Sequence, residues 1–218
     1  MNIFFRLRQN TVVPTHVLGV LAGRDLSYEE LRPWAESADV VIAADSAADG
    51  LIAIGIKPDI VIGDMDSTNV SEADVPLFVK IEDENYTDCD KLLKYVLRLP
   101  SAKLVLTGIE GNRFDHMLAT LSSATAVASD MRLLLRMGLA YIVTYRSQAV
   151  SAGRFSVMPL PEATVSISGA AWPLDRERLR FGEKVSISNE SSGSTLVTVH
   201  DGVALVLVES AEFPLPTW

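Results

Sequence analysis

Apolar residues recur along this chain in two rhythms. From His16 to about Arg146, short unbroken apolar runs alternate with amphipathic stretches. The runs HVLGVLAG, DVVIAA (Asp39–Ala44), DIVIG, PLFVKI (Pro76–Ile81) and KLVLTG (Lys103–Gly108) predict strands buried on both faces, with RLLLRM and YIVTY as further strands. Between them the pattern predicts helices. One is capped by Ser27 with Glu30 at the reciprocal capping-box position, and one runs from about Ser46 to Gly55. Two more cover Asp88–Leu99 and Asp115–Ala128. Strands alternating with helices imply crossover connections and a doubly wound, mostly parallel, Rossmann-like sheet.

Near Ala149 the rhythm changes to short alternating segments rich in Val, Ser and Thr: RFSVMPL, ATVSIS, KVSISN and STLVTV. Asp201–Gly202 reads as a two-residue hairpin turn between STLVTVH and VALVLVES. This predicts an α/β domain over residues 1–147 and a small all-β sandwich or roll over 148–218.

The most informative stretch is DIVIGDMDS (Asp59–Ser67), a buried-strand run ending in a glycine and two aspartates, Asp64 and Asp66. Open α/β sheets gather their ligands at the carboxyl ends of strands. Asp45, Asp88 and Asp115 stand just beyond other predicted strands, so a parallel sheet lines all five along one edge. Crowded carboxylates repel and call for a cation, which points to a metal-dependent phosphate-transfer site. The plainer alternative is loop aspartates capping the helices that follow.

Composition narrows the picture. The 218 residues carry a net charge of −9, which argues against nucleic acid as a partner and requires cations to invert the field around a phosphorylated substrate. No apolar run reaches a membrane-spanning length, and the start MNIFFRLRQN places its arginines after its apolar residues, so a cytoplasmic protein is expected. The lone Cys89 excludes an internal disulfide.

Three further segments carry candidate chemistry. In GIEGNRFDH (Gly108–His116), Gly108 and Gly111 allow close backbone approach to a ligand, Arg113 offers a planar fork for phosphate and Asp115 opens a helix. His116 by itself reads as structural rather than catalytic. No GxxxxGK[ST] or GxGxxG motif is present. YTDCDKLL (Tyr86–Leu93) starts a helix with Asp88 and Asp90 beside Lys91; Asp90 suits the helix dipole, and Asp88 is the better functional candidate. Trp172 sits among small, turn-forming neighbours that leave its face open for stacking.

In this order the segments ADSAA (Ala44–Ala48), GDMDS, TDCDK (Thr87–Lys91), GIEGNRFDH, Trp172 and SISNE (Ser186–Glu190) resemble the thiamine pyrophosphokinase (thiamine diphosphokinase) family from Val17 to Glu209. The resemblance implies transfer of the pyrophosphoryl group of ATP to thiamine, with release of AMP, by a homodimer with shared sites. It implies one or two Mg²⁺ held by Asp64 and Asp66 with Asp45 and Asp88. It places ATP against Asp45, Lys91, Gly108, Gly111, Arg113 and His116, and thiamine against Trp172, Ser188 and Asn189. Asp88 or Asp115 is implied as proton acceptor, without a choice between them. Two departures stand out: Asn85 where members often carry an aspartate, and Ser46 and Ala47 where they carry glycines.

Rival readings remain at this level. DIVIGDMDST satisfies a HAD-type phosphatase pattern with Asp64 as nucleophile, but no later acidic pair completes it. A pyrophosphokinase for another alcohol, such as a hydroxymethylpterin, or a non-catalytic thiamine or nucleotide sensor are the others.

Overall fold

A computed structural model describes residues 15–23, 27–99, 103–111, 113–127 and 131–218. The N-terminal decapeptide and Ala128, the expected end of the fourth helix, lie outside the described residues. No helix among the described residues is long and apolar enough to cross a membrane. The chain divides into two compact units.

The first unit comprises the described residues up to Ser123 together with Leu215–Trp218. Its strands are β1 (His16–Val20), β2 (Val40–Ala44), β3 (Ile60–Gly63), β4 (Leu77–Lys80) and β5 (Lys103–Thr107). They pair in parallel in the order β5-β1-β2-β3-β4. Every residue of β2 and β3 is buried, as unbroken apolar runs require when both faces of a parallel sheet are covered. The helices are α1 (Tyr28–Ser37), α2 (Ala47–Ala53), α3 (Asp88–Val96) and α4 (Phe114–Val127), the last running across the division between units. No helix joins β3 to β4, and Asp64–Pro76 crosses as irregular chain.

Two helix starts differ from expectation. Ser27 is extended at the α1 N-cap, but its side chain makes no cap hydrogen bond, so the Ser27–Glu30 box is not formed. The reciprocal box occurs at α3: Thr87 Oγ1 accepts from the Asp90 amide at 3.2 Å, and the Asp90 carboxylate accepts from the Thr87 amide at 2.9 Å. Asp90 is therefore occupied with the helix terminus.

Chain order places the site. The strands advance outward from β1 to β4, and α3 then returns the chain to β5 on the other side of β1. The carboxyl ends of β1 and β5 are thus the topological switch point, where α/β sheets open a crevice. Gly108 leaves β5 at φ +74°, and a Cβ there would stand 1.8 Å from the Leu21 carbonyl oxygen. The bare Cα expected to admit a ligand in fact admits the protein's own backbone.

The second unit, Ala124–Pro214, is antiparallel: β6 (Met131–Leu135), β7 (Gly138–Val143), β8 (Ser147–Val150), β9 (Gly153–Ala170), β10 (Leu174–Arg180) and β11 (Ser186–Glu209). Its pairing runs β10-β9-β11-β7-β6, with β8 also on β11. Phe155, Val157, Val165, Val197, Val199 and Val206 are among the buried residues of its core. The short strands read from sequence are two long ones here. RFSVMPL and ATVSIS both belong to β9, and the SISN of KVSISN and all of STLVTV belong to β11. Asp201 and Gly202 do not turn the chain; they pair with Thr164 and Ala163 inside β11, flanked by register shifts. Such irregularities bend a strand without ending it, so local turn chemistry is overridden by pairing along β9. The compact units divide at Ser123–Ala124, with β6 and β7 antiparallel and β7 hydrogen-bonding β11.

Replacing Gly108 with alanine adds both a left-handed backbone penalty and a backbone clash. Gly108→Ala is expected to lower unfolding free energy by about 2 kcal/mol or more, read as a lower urea midpoint.

Candidate active site

The first unit gathers its acidic residues as the strand ends predict. Asp45 follows β2 with a left-handed φ of 44°, held by its amide's bond to the Ile62 carbonyl at 3.0 Å. Asp64 and Asp66 follow β3, flanking Met65 at φ 67°. One carboxylate oxygen from each of Asp45, Asp64 and Asp66 lies within 4.8 Å of the other two. Gly63 makes room for this convergence: a Cβ there would stand 3.0 Å from Asp45 Cβ and 3.3 Å from Asp88 Oδ1.

The electrostatics are unbalanced. Asp45 is buried, and its Oδ1 has no hydrogen-bond partner among the described residues. Burial, then the charges of Asp88, Asp64 and Asp66, push its carboxyl up to about 6. A buried carboxylate oxygen without a donor, facing two other carboxylates, suits a hard cation with oxygen ligands. Asp45, Asp64 and Asp66 are the donor set that could hold it.

Lys91 supplies the local counter-charge. Its ammonium, buried on α3, donates to Asp64 Oδ2 at 3.2 Å and to Asp88 Oδ1 at 3.1 Å. Burial opposes the charged ammonium, but these two carboxylates outweigh it and raise the lysine's affinity for its proton. Burial likewise opposes ionisation of Asp64, yet the Asp66 amide and Lys91 hold its carboxyl below the usual range. Lys91 is thus bound to protein carboxylates rather than extended toward a ligand.

Beside the aspartates opens a cleft of about 430 Å³. Asp45, Asp64, Asp88, Lys91, Gly108, Gly111, Arg113 and His116 line it, all named from the sequence. Ser46 and Tyr86 line it too; no motif singled either out as a ligand residue. Ala47, by contrast, is fully buried, so of the two residues replacing glycines only Ser46 reaches the cleft. Tyr86 carries the Lys94 ammonium 2.7 Å above its ring centroid.

Asp115 lies apart from this group. It is exposed and takes two hydrogen bonds from Arg113, at 3.0 and 2.7 Å. The guanidinium holds its carboxyl far below the usual range, which makes Asp115 a poor proton acceptor. Asn85, the other departure, bonds Asp83 Oδ1 through its backbone amide and its side chain, at 3.0 and 2.8 Å.

In the second unit Trp172 is 60% exposed, with its ring available. Asn189 is not available: it is 1% exposed, accepts from the Trp172 amide at 3.1 Å and donates to the Trp172 carbonyl at 2.7 Å. The expected ligand contact from Asn189 is therefore replaced by a hold on the tryptophan's backbone. Ser188 is exposed at φ 56°, its amide donating to Ser156 Oγ at 3.0 Å.

Comparison with known proteins gives the family and the fold. Residues 31–135 match the profile of the thiamin pyrophosphokinase catalytic domain, and residues 142–203 match that of the thiamin pyrophosphokinase vitamin B1 binding domain. Thiamine pyrophosphokinase 2 of Arabidopsis thaliana is 28% identical over 73% of this chain and 68% of its own length. Thiamine pyrophosphokinase 1 of the same plant is 28% identical over 61% of this chain and 58% of its own. In fold, the chain is similar to the thiamine pyrophosphokinase of Bacillus subtilis, at a TM-score of 0.74 and 20% identity over 89% of this chain and 99% of that one. The protein from Geobacillus thermodenitrificans gives 0.76 and 19% identity, over 92% and 100%. None of these matches favours the phosphatase reading.

Asp45 generates a prediction with a definite sign. Its folded-state carboxyl titrates near 6, above its ordinary value of 3.8, so it stabilises the metal-free fold at low pH. That contribution is lost as pH rises from about 4 through 6. Asp45→Asn should therefore stabilise the metal-free protein at pH above 7, on the order of 1 kcal/mol after allowing for screening in the open cleft. The difference should vanish below about pH 4, and Mg²⁺ should raise the melting temperature of the parent chain more than that of the variant. Melting curves in chelator and in Mg²⁺ across this pH range check it.

Proposed function

The chain belongs to the thiamin pyrophosphokinase family, and from that premise we propose that it transfers the pyrophosphoryl group of ATP to the hydroxyethyl oxygen of thiamine. The products are thiamine diphosphate and AMP. One observation carries the assignment of the site: three carboxylates converge at the strand ends, one oxygen is buried without a partner, and a cleft adjoins them.

Asp45, Asp64 and Asp66, with Asp88 beside them, are the residues that hold Mg²⁺. When bound, Mg²⁺ neutralises the charge on the phosphate oxygens of ATP. Lys91 keeps Asp64 and Asp88 in place and offsets part of their mutual repulsion. Arg113, His116 and Gly111 line the cleft where the nucleotide's phosphates lie, supplying donors to the moving group.

The thiamine hydroxyl oxygen forms a bond to the β-phosphorus, the bond from that phosphorus to the α,β-bridging oxygen breaks, and AMP departs with that oxygen. Asp88 accepts the hydroxyl proton. It lines the cleft and one of its oxygens is oriented by Lys91, whereas Asp115 is turned to Arg113 outside it.

Thiamine's ring stacks on Trp172, whose backbone Asn189 fixes, with Ser188 nearby to bond its polar edge. The first unit's cleft has charge in abundance, and the second unit contributes an exposed aromatic platform. A cytoplasmic homodimer, with Trp172 of one copy facing the aspartates of the other, brings the two together.

With ATP, Mg²⁺ and thiamine, AMP should appear in step with thiamine diphosphate; ADP or phosphate in its place would overturn the reaction assigned. Asp64→Asn and Asp66→Asn should each lower kcat by about 10²-fold or more while far-UV circular dichroism stays unchanged. Wild-type turnover in both would remove them from the site.

Trp172→Ala should raise KM for thiamine about fivefold, the equivalent of roughly 1 kcal/mol of stacking, and leave that for ATP nearly unchanged. Mixing inactive Asp64→Asn chains with Trp172→Ala chains should restore activity through heterodimers at saturating ATP and low thiamine. No recovery, with subunit exchange confirmed, would place each site within one chain.

A further inference from the structure

The ligand turn that carries Asp64 and Asp66 begins a segment, Asp64–Pro76, with no helix or strand of its own to hold it. Side chains from other elements hold this segment: the Asp45 carboxylate takes the Ser67 amide, and Lys91 grips Asp64 at its start. A further hold comes from Asp49, in the first turn of α2, one helical turn beyond Asp45.

Asp49 accepts from Thr68 Oγ1 at 2.6 Å on Oδ2. On Oδ1 it accepts from both the amide and the side-chain nitrogen of Asn69, each at 3.0 Å. Thr68 Oγ1 in turn accepts from the Val70 amide at 3.1 Å. On the near side, Ser67 donates to Asp66 Oδ1 at 2.7 Å. Asp49 thus anchors the chain at Thr68 and Asn69, and through the peptide bond to Ser67, which bonds the Asp66 carboxylate, it holds the segment two residues beyond Asp66. An acid in a helix's first turn commonly serves the helix dipole. These bonds instead leave the helix and close on the ligand turn.

Resting on the metal reading above, we infer that Asp49 is a positioning residue that fixes the Asp64–Asp66 turn against Asp45 and so sets the affinity for the divalent cation. The three cation ligands come from two separate segments, Asp45 ahead of α2 and Asp64 with Asp66 after β3. Their mutual repulsion tends to part those segments before a cation arrives. A carboxylate on α2 that binds the far end of the turn opposes this parting with charge-assisted bonds, and it touches neither cation nor substrate. Partners behind metal ligands typically set affinity or activity by 10–100-fold.

The test is Mn²⁺ binding followed by electron paramagnetic resonance on the full chain without substrates, together with steady-state kinetics. Asp49→Ala should weaken Mn²⁺ about tenfold and lower kcat comparably, with KM for thiamine within twofold of the parent. Asp49→Asn, which keeps the shape and one acceptor, should fall between. Thr68→Val removes the bond to Asp49 together with the one from the Val70 amide and leaves the Asp49 carboxylate in place; it should weaken Mn²⁺ several-fold and combine with Asp49→Ala less than additively. If Asp49→Ala does not fold, Thr68→Val decides. A lower melting temperature with unchanged Mn²⁺ affinity and kcat in these variants would make Asp49 merely structural and overturn the inference. A parent chain that binds no Mn²⁺ would overturn the metal reading on which it rests.

Discussion

Repulsion among carboxylates at the ends of neighbouring strands is the constraint around which the first unit is organised. Asp45, Asp64 and Asp66 are brought together by a parallel sheet whose strands end at the same edge, and Asp88 joins them from the start of α3. Such a cluster opposes the fold that makes it. The chain answers with Lys91, a buried ammonium shared by two of the four, and leaves one oxygen of Asp45 without a donor among the described residues. The unanswered part of the charge is what gives the site an appetite for a cation.

Backbone conformation shows the same tension. Asp45 and Met65 both occupy the left-handed region, which costs a non-glycine residue about 1 kcal/mol or more. Both stand where the chain leaves a strand and must turn a side chain into or out of the cluster. Asp45 is held there by its amide's bond to Ile62 on the neighbouring strand, so sheet pairing offsets the local strain. The strands are rigid because they are buried on both faces, and that rigidity lets adjoining loops keep such conformations.

The second unit solves a different problem. Long antiparallel strands bent at irregularities enclose a core rich in branched apolar residues, and Trp172 stands exposed in the bend between β9 and β10. Trp172 is set by Asn189, a buried carboxamide that bonds both the amide and the carbonyl of the tryptophan and accepts from the Glu190 amide. Positioning by a buried amide leaves the indole free for a ligand, which a tryptophan packed into the core cannot offer.

Local pattern was enough to locate the parallel strands, because a strand buried on both faces must be an unbroken apolar run, and Ile60–Gly63 or Val40–Ala44 can be little else. It was enough to place Asp45, Asp64 and Asp88 at one edge, since parallel strands share a direction. It did not separate Asp115 from that group: the difference lies in a side chain turned to Arg113, which no spacing specifies. Nor did it show that Lys91 would be buried between two acids, that β9 and β11 would each join segments that read as separate strands, or that Asn189 would serve Trp172. These depend on partners distant in sequence, Asp64 for Lys91, Ala163 for Gly202 and Trp172 for Asn189. The sequence by itself therefore determined where the buried parallel strands end, and so the edge at which the site forms, through the periodicity of burial. Tertiary structure decided what each one does there, because hydrogen bonds and charge pairs form between segments that only folding brings into contact.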